Sequence, residues 1–376
     1  MGRNRGDFLS GIDSSPAAAA YRREQASDYA NLAGVPLAAW RYAVVGPISD
    51  NAVRRSAQSR YHAPVLLLHV TLEYELRGID ALPDRHDQYL AFVERGGQAR
   101  LAGGDVLAAQ GTPSWVPPWR YAPLVAARGS ASLVLGPPAD RAMLPALAHE
   151  VDAAAAAVTG VWGADWSQHV AALIPTGEAE FRALGGFPRG GGAPDVSAFA
   201  TTGGLDARTG RPYGQRLVLD PTQLARLTPV GRGIVLRHEI THLATAADTA
   251  DITPRWLVEG FAEYVANLGT GQSVPVAAAE LHRAVAAGSV PAALPGDGGF
   301  ASSGAALARA YEASWLACRL IAQRAGQAGL IRFYRRIGTA LATRAQAVTA
   351  AFRAVLHETQ GAFTRQWRTY VKDLSA

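Results

Sequence analysis

The pentapeptide HEITH at residues 238–242 constrains the fold of this chain more than any other feature. A second apolar run, WLVEGFAEY, follows at residues 256–264 after a short polar connection. Histidines at positions i and i+4 of a helix lie on one face, one turn apart. Two imidazoles placed in this way can bind one Zn²⁺ at about 2.0–2.1 Å each. The spacing of His238 and His242 therefore predicts a zinc site on a helix.

Two consecutive helices are expected to carry this site. The first is predicted over residues 229–247, with Thr228 as its N-cap. The second is predicted to be capped by Thr253, to open with Pro254 and to end at Gly269. The connection between them is long enough for the second helix to turn back alongside the first.

Three glutamates lie where a zinc site of this kind needs acidic groups. Glu239 is offset by one residue from the histidine face, so it can reach a metal-bound water molecule but cannot easily ligate the ion; this is the general-base position. A catalytic zinc site also needs a third protein ligand. Glu259 lies seventeen residues after His242 and suits that role. Glu263, one turn further on, could accept a hydrogen bond from a ligand histidine.

Together, HEITH and WLVEGFAEY resemble the motifs of the gluzincin metallopeptidases, the peptidase MA-like group that includes thermolysin and the large zinc aminopeptidases. The resemblance covers roughly residues 130–376. It implies that Glu259, the glutamate before glycine, is the third ligand of one zinc ion, with Glu263 in support. It also implies hydrolysis of a peptide or protein substrate by a metal-activated water, with Glu239 as general base. The GxMEN-type segment of the aminopeptidases is not seen, so endopeptidase and small-peptide cleavage both stay open.

A later tyrosine is the candidate donor to the oxyanion that forms during peptide hydrolysis. Tyr311, Trp315 and Cys318 fall on one face of a helix predicted over residues 304–325. Related gluzincins place a tyrosine on a later helix in this role, and the resemblance assigns it to Tyr311. The alternative is a core tyrosine on an amphipathic helix.

Two other functions are compatible with the same residues. One is a catalytically inactive zincin-like binding or scaffold protein, whose N-terminal module recruits a partner. The other is a zinc hydrolase that acts on a bond other than a peptide bond. Metal content combined with cleavage of a peptide library separates these possibilities from a peptidase.

The N-terminal part of the chain predicts a helix followed by a curved antiparallel sheet. The helix is expected at residues 13–34 and strands at 37–45 and 63–76, because β-branched and aromatic residues alternate with polar ones in the second strand. A hairpin is expected from residues 87–93 and 99–102, around Gly96-Gly97. This order of elements resembles the NTF2-like fold, an α+β module.

A Pro-rich and Trp-rich segment at residues 111–123 is interpreted as a linker. It predicts a domain boundary near residue 124, and the two resemblances imply an NTF2-like module at residues 1–124 and a zincin domain at 125–376. The zincin domain is expected to hold a mixed sheet and the HEITH helix in residues 125–250 and a helical subdomain in residues 251–376. Further helices are predicted near 304–325, 328–336, 344–357 and 361–374. The predicted fold class is therefore α+β.

Composition excludes several other classes of protein. The net charge is +5, but the arginines are scattered, so no nucleic-acid partner is expected. No run of eighteen apolar residues is present, so no transmembrane segment is expected. The single cysteine, Cys318, cannot form an intrachain disulfide. The sequence does not indicate an oligomeric state.

The N-terminal sequence lacks the apolar stretch of a signal peptide. Related multidomain peptidases are often exported or anchored. An extracytoplasmic or membrane-anchored location is therefore expected only if the true start of the protein lies upstream of Met1, and the location otherwise stays open.

Overall fold

A computed structural model describes residues 5–186 and 196–374 and has an α+β architecture, as predicted. The α-helices are α1 (Arg5–Ser10), α2 (Ala19–Asn31), α3 (Asn51–Tyr61), α4 (Leu144–Trp162), α5 (Glu178–Leu184), α6 (Pro221–Leu224), α7 (Pro229–Thr245), α8 (Arg255–Asn267), α9 (Val274–Ala277), α10 (Ala279–Ala286), α11 (Gly304–Gly338), α12 (Arg344–Ala351) and α13 (Gln360–Asp373). The strands are β1 (Leu37–Pro47), β2 (Val65–Leu76), β3 (Asp84–Arg95), β4 (Gln98–Gly103), β5 (Val125–Arg128), β6 (Ser132–Gly136), β7 (Val170–Leu173), β8 (Ala198–Thr201), β9 (Gly204–Leu205), β10 (Pro212–Tyr213) and β11 (Arg216–Leu219). Among the helices within the described ranges, none is both long enough and apolar enough to cross a bilayer.

The chain forms two compact units, each of which draws on several segments. The first comprises Met1–His149, His169–Val196 and Thr201–Asp220. The second comprises Glu150–Gln168, Ser197–Ala200 and Pro221–Ala376. The predicted division into domains at residue 124 stays a prediction.

An antiparallel sheet forms the N-terminal part of the first unit. Its strands lie in the order β1-β2-β3-β4, and β3 and β4 form the predicted hairpin around Gly96 and Gly97. Both glycines have a positive φ, which a side chain would strain. Helix α3 was not predicted. It lies between β1 and β2 in sequence and buries Val53, Ala57 and Tyr61.

A mixed sheet forms the second layer of strands in the first unit. In it β5, β6, β7 and β11 lie in that order; β5 runs antiparallel to β6, whereas β6, β7 and β11 are parallel. Every residue of β6, β7 and β11 is buried. Such continuous burial is typical of parallel strands.

A buried ion cluster links the two sheets of the first unit. Arg216, at the start of β11, is 5% exposed and donates to both carboxylate oxygens of Asp80 at 2.7 and 2.9 Å. Its guanidinium also pairs with Asp84 at 3.2 Å and lies over the ring of Tyr74. Burial alone would raise the pKa of Asp84, but the imidazole of His86, with Nε2 3.1 Å from Oδ1, and the charge of Arg216 lower it. Two carboxylates therefore share one buried guanidinium.

Helices dominate the second unit, and α7, α8 and α11 position its candidate site. Thr228 caps α7 as predicted, since its hydroxyl accepts from the backbone N–H of Gly231 at 3.1 Å. The predicted cap of α8 was wrong by one residue: Pro254 is the N-cap, and Thr253 instead accepts from the N–H of Ala250. The two helices predicted over residues 304–336 form α11, which is kinked at Gly326.

Close approach of α8 to α11 depends on Gly260. A Cβ at this position would lie against the carbonyl group of Ser314 and 3.0 Å from Sγ of Cys318, which is fully buried. Glycine therefore lets the two helices approach at van der Waals distance. Because Gly260 follows Glu259, the same contact sets the position of that carboxylate.

Substitution Gly260→Ala should separate α8 from α11 and destabilise the protein. Overpacking of a core costs about 1–3 kcal/mol, so the melting temperature should fall. Gly160→Ala is the matched control, because Gly160 lies in α4 and a Cβ there meets nothing within 4 Å. The control should be neutral or stabilising by up to about 1 kcal/mol. Thermal denaturation followed by circular dichroism measures both, and equal effects would contradict the packing argument.

Candidate metal centre

Helices α7 and α8 bring three predicted ligands together. His238 and His242 lie on one face of α7, and Nε2 of one ring is 3.1 Å from Nε2 of the other. Oε2 of Glu259, on α8, lies 3.5 Å from Nε2 of His238 and 3.4 Å from Nε2 of His242. Three donor atoms from two helices thus form a small triangle.

The size of this triangle fits one metal ion. Ligand bonds of 2.0–2.1 Å in a tetrahedron separate neighbouring donors by about 3.3–3.4 Å. The three observed separations are 3.1, 3.4 and 3.5 Å. Glu259 is 7% exposed and His238 9% exposed, so these two donors are shielded from bulk water. His238, His242 and Glu259 could therefore hold a metal ion.

Hydrogen bonds through Glu263 and Asn267 fix the orientation of His238. Nδ1 of His238 donates to Oε1 of Glu263 at 3.0 Å. The other oxygen of Glu263 accepts from Nδ2 of Asn267 at 2.9 Å. A proton held on Nδ1 leaves the Nε2 lone pair directed at the donor triangle, which is the tautomer that a metal ligand needs.

Acidic neighbours dominate the electrostatics of the site. Burial alone would lower the pKa of His238, but hydrogen bonds to Glu259 and Glu263 raise it well above its usual value. Burial would likewise raise the pKa of Glu259, whereas hydrogen bonds from His238 and His242 lower it strongly. A proton on His238 therefore compensates the buried carboxylate. A divalent cation competes with that proton for the same donors.

Arg255 contacts the oxygen of Glu259 that lies outside the donor triangle. Its Nη2 is 3.4 Å from Oε1 of Glu259, one helical turn away on α8. The guanidinium also lies over the ring of Phe300, 5.6 Å from its centroid. Arg255 therefore contacts one oxygen of Glu259, while Oε2 is turned towards the two histidines.

Glu239 lies beside the donor triangle but is not part of it. One of its oxygens accepts from the backbone N–H of Ala200, in β8, at 2.9 Å. Burial raises the pKa of Glu239, the charges of His238 and His242 lower it, and the charge of Glu259 raises it. The net shift is upwards. A carboxylate held in this way keeps one oxygen engaged by the backbone and is suited to accept and return a proton.

Tyr311, on α11, lies beside His238. Its ring lies 6.0 Å from that of His238 and packs edge-on against Phe300, with centroids 5.4 Å apart. Burial raises its pKa, and the charge of Glu259 adds to this. The hydroxyl therefore stays protonated and able to donate a hydrogen bond at neutral pH.

The structure thus gathers every residue proposed for the site and adds three contacts that were not predicted. Asn267 lies four residues after Glu263, and Arg255 lies four residues before Glu259. Side chains at this spacing are neighbours on a helix, so the sequence contained a signal for both contacts. The contact of Ala200 uses a backbone group 39 residues from Glu239, and no sequence pattern marks it. The catalytic roles of Glu239 and Tyr311 stay predictions.

No protein-family model matches the chain, and no curated protein matches it. The likeness to gluzincins, predicted from the HEITH and WLVEGFAEY residues, therefore stays a prediction. The geometry of the donor triangle is independent of that likeness, since it follows from the positions of α7 and α8.

Metal binding should depend on the triangle residues in a graded way. His242→Ala and Glu259→Gln each remove a ligand and should abolish stoichiometric binding. Glu263→Gln keeps all ligands but weakens the orientation of His238, so the affinity should fall about 10–100-fold. Elemental analysis and competition with a chromophoric chelator measure these effects at neutral pH.

Two matched controls accompany the metal titrations. His149→Ala changes an exposed histidine on α4, and Glu178→Gln changes an exposed glutamate on α5. Both should bind metal as the parent chain does. If Glu259→Gln retained full affinity, the third ligand would have been assigned wrongly.

Proposed function

We propose that this protein is a zinc-dependent metallopeptidase. The observation that carries the proposal is the convergence of His238, His242 and Glu259, with the carboxylate of Glu239 held beside them by Ala200. The likeness of the two motifs to those of gluzincins supports the same function. The substrate would be a peptide or protein chain.

The donor set favours zinc among the common divalent ions. Two imidazole nitrogens and one carboxylate oxygen form the ligand set of several catalytic zinc sites, where a fourth position stays open for water or substrate. Magnesium and calcium prefer sites built from oxygen donors alone. A metal-binding chain with a structural site would also have no need for a carboxylate at Glu239. These arguments support one catalytic zinc ion.

The chemistry follows from where the side chains hold protons. Zinc bound by these ligands would supply a Lewis acid that acidifies water and polarises a carbonyl group. As the water oxygen attacks the peptide carbon, its proton passes to the carboxylate of Glu239. When the C–N bond breaks, Glu239 returns this proton to the amine nitrogen of the leaving fragment. The products are a carboxylate and an amine.

The hydroxyl of Tyr311 is the proposed donor to the developing oxyanion. Tyr311 belongs to α11 and Glu239 to α7, so in this proposal the two groups act on different atoms of the same carbonyl. A protonated phenol aimed at a developing negative charge stabilises the transition state more than the ground state. Its action should therefore be seen in kcat.

Replacement of Glu239 by Gln tests the proposed function most directly. The variant keeps His238, His242 and Glu259, so zinc should bind as in the parent chain. Cleavage of a quenched peptide library by the zinc-loaded protein should fall to background, because an amide cannot accept the proton from water. Glu178→Gln is the control and should retain full turnover.

The outcomes of this experiment separate the alternatives. Zinc binding with no cleavage by the parent chain would favour an inactive, zincin-like binding protein. Equal cleavage by the parent chain and by Glu239→Gln would exclude Glu239 as the base. Cleavage lost together with zinc would instead show that the substitution damaged the metal centre.

Removal of the Tyr311 hydroxyl should slow the reaction without preventing binding. Loss of one oxyanion donor costs roughly 10²–10³-fold in kcat. Tyr311→Phe should therefore lower kcat by that factor and leave KM and zinc content nearly unchanged. Tyr264→Phe removes a hydroxyl from α8 and serves as the control, with parental kinetics expected. An unchanged kcat in Tyr311→Phe would assign the tyrosine to packing alone.

A further inference from the structure

A cavity of about 580 Å³ lies in the first unit, bounded by α1, α2, β1 and the turn that carries Trp119. Its volume is within the range of small-molecule sites. A smaller cavity of about 260 Å³ adjoins it, and Tyr21, Gln25, Gln88 and Arg120 line both. The proposed peptidase chemistry uses none of these residues.

Aromatic side chains form much of the wall of the larger cavity. The rings of Trp40 and Trp119 lie with their centroids 5.5 Å apart, and the ring of Tyr42 meets that of Trp40 edge-on at 6.1 Å. Tyr42 is nevertheless 52% exposed, and Phe8, also in the wall, is 39% exposed. Aromatic rings bury large apolar areas and prefer stacked or edge-to-face neighbours. The wall is therefore suited to a flat aromatic group that covers these rings.

The wall near Trp119 is held in place by α2. Asn31, at the end of this helix, donates to the carbonyl oxygen of Trp119 at 2.7 Å. Trp119 is 3% exposed, so packing also fixes its ring. A preformed wall reduces the entropy that is lost when a ligand binds.

The charged groups in the wall of the larger cavity already have partners. Nε and Nη2 of Arg120 each donate to one carboxylate oxygen of Asp28, both at 2.7 Å, and Nη1 pairs with Glu24 at 2.8 Å. Asp7, the remaining charged residue in this wall, is exposed to solvent and has an interaction of its own. A charged ligand would lose hydration without gaining an unpaired ion among these residues. The wall therefore favours a neutral ligand.

Two polar groups of the wall are available to such a ligand. The hydroxyl of Tyr21 has no hydrogen-bond partner among residues 5–186 and 196–374, and packed protein does not seal it off. Burial raises its pKa, so it keeps its proton and can donate. Nε2 of Gln88 donates to the carbonyl oxygen of Trp115 at 2.9 Å, which leaves Oε1 of Gln88 as an acceptor. A ligand hydroxyl group can accept from the first group and donate to the second.

We propose that this cavity binds a neutral, flat aromatic molecule that carries a hydroxyl group. The rings of the ligand pack among Trp40, Tyr42 and Trp119. Its hydroxyl group lies towards Tyr21 and Gln88, which line both cavities. The aromatic wall supplies apolar burial, and the two polar groups select a ligand that satisfies them.

The test uses four probes with the same ring system on the full chain at neutral pH. The neutral probe with a hydroxyl group is 2-naphthol. Naphthalene lacks the hydroxyl, 2-naphthoate is an anion and 2-naphthylmethylammonium is a cation. Ligand-observed NMR and isothermal titration calorimetry should detect saturable binding of 2-naphthol. Naphthalene should bind about three- to tenfold more weakly, and both charged probes at least about tenfold more weakly.

Two substitutions locate the binding. Tyr21→Phe removes only the hydroxyl, so 2-naphthol should bind about three- to tenfold more weakly while naphthalene binds as before. Trp40→Leu removes a ring from the wall and should weaken both probes about three- to tenfold. Tyr89→Phe is the control, because Tyr89 lies in β3 and lines neither cavity. It should bind all four probes as the parent chain does, and circular dichroism verifies that each variant is folded.

Four results would overturn the proposal. One is the absence of saturable 2-naphthol binding, and another is a charged probe that binds as tightly as 2-naphthol. Equal affinities of the parent chain for naphthalene and 2-naphthol would exclude the polar contacts. Binding of 2-naphthol that Tyr21→Phe and Trp40→Leu both leave unchanged would place it outside this cavity. If Trp40→Leu failed to fold, Tyr21→Phe and the comparison of the probes would still decide.

Discussion

The candidate metal centre depends on the compensation of one buried carboxylate. Glu259 is 7% exposed, and an ionised carboxylate removed from water costs several kcal/mol unless partners offset that cost. His238 and His242 offset it on one oxygen, and Arg255 contacts the other. An apolar residue would fill the same space between α7 and α8 without such a cost. This free-energy cost is explained if Oε2 of Glu259 serves as a metal ligand, because functional sites are where a fold departs from its most stable arrangement.

Local periodicity explains why so much of this centre could be predicted from sequence. The helix rise and turn fix which side chains share a face, so the spacing of His238 and His242 predicts their common direction before any tertiary contact is known. The cap at Thr228 and the kink at Gly326 are local in the same sense. The N-terminal strands were predicted for a similar reason, since alternation of apolar and polar residues has the period of a half-buried strand.

Contacts between distant segments explain what could not be predicted. Ala200 holds Glu239 through a backbone N–H, and a backbone group carries no sequence signal. Arg216 pairs with Asp80 and Asp84, more than 130 residues earlier in the chain, so its burial was not foreseen. The contact between Trp119 and Trp40 was not foreseen either. The linker prediction recognised the Pro-rich and Trp-rich composition of residues 111–123 but not this packing. Composition indicates that such residues are packed, whereas the fold determines which residues they pack against.

The two residues Glu259 and Gly260 show how chemistry and packing are combined in one short motif. Glu259 points towards α7, where its charge is compensated, and Gly260 faces α11, where a Cβ would meet the carbonyl group of Ser314. A glutamate alone would satisfy the donor triangle, but without the glycine α8 could not lie close enough to α11, the helix that carries Tyr311. The pair therefore meets two independent requirements, one electrostatic and one steric. A chance occurrence of the motif would be expected to meet neither requirement.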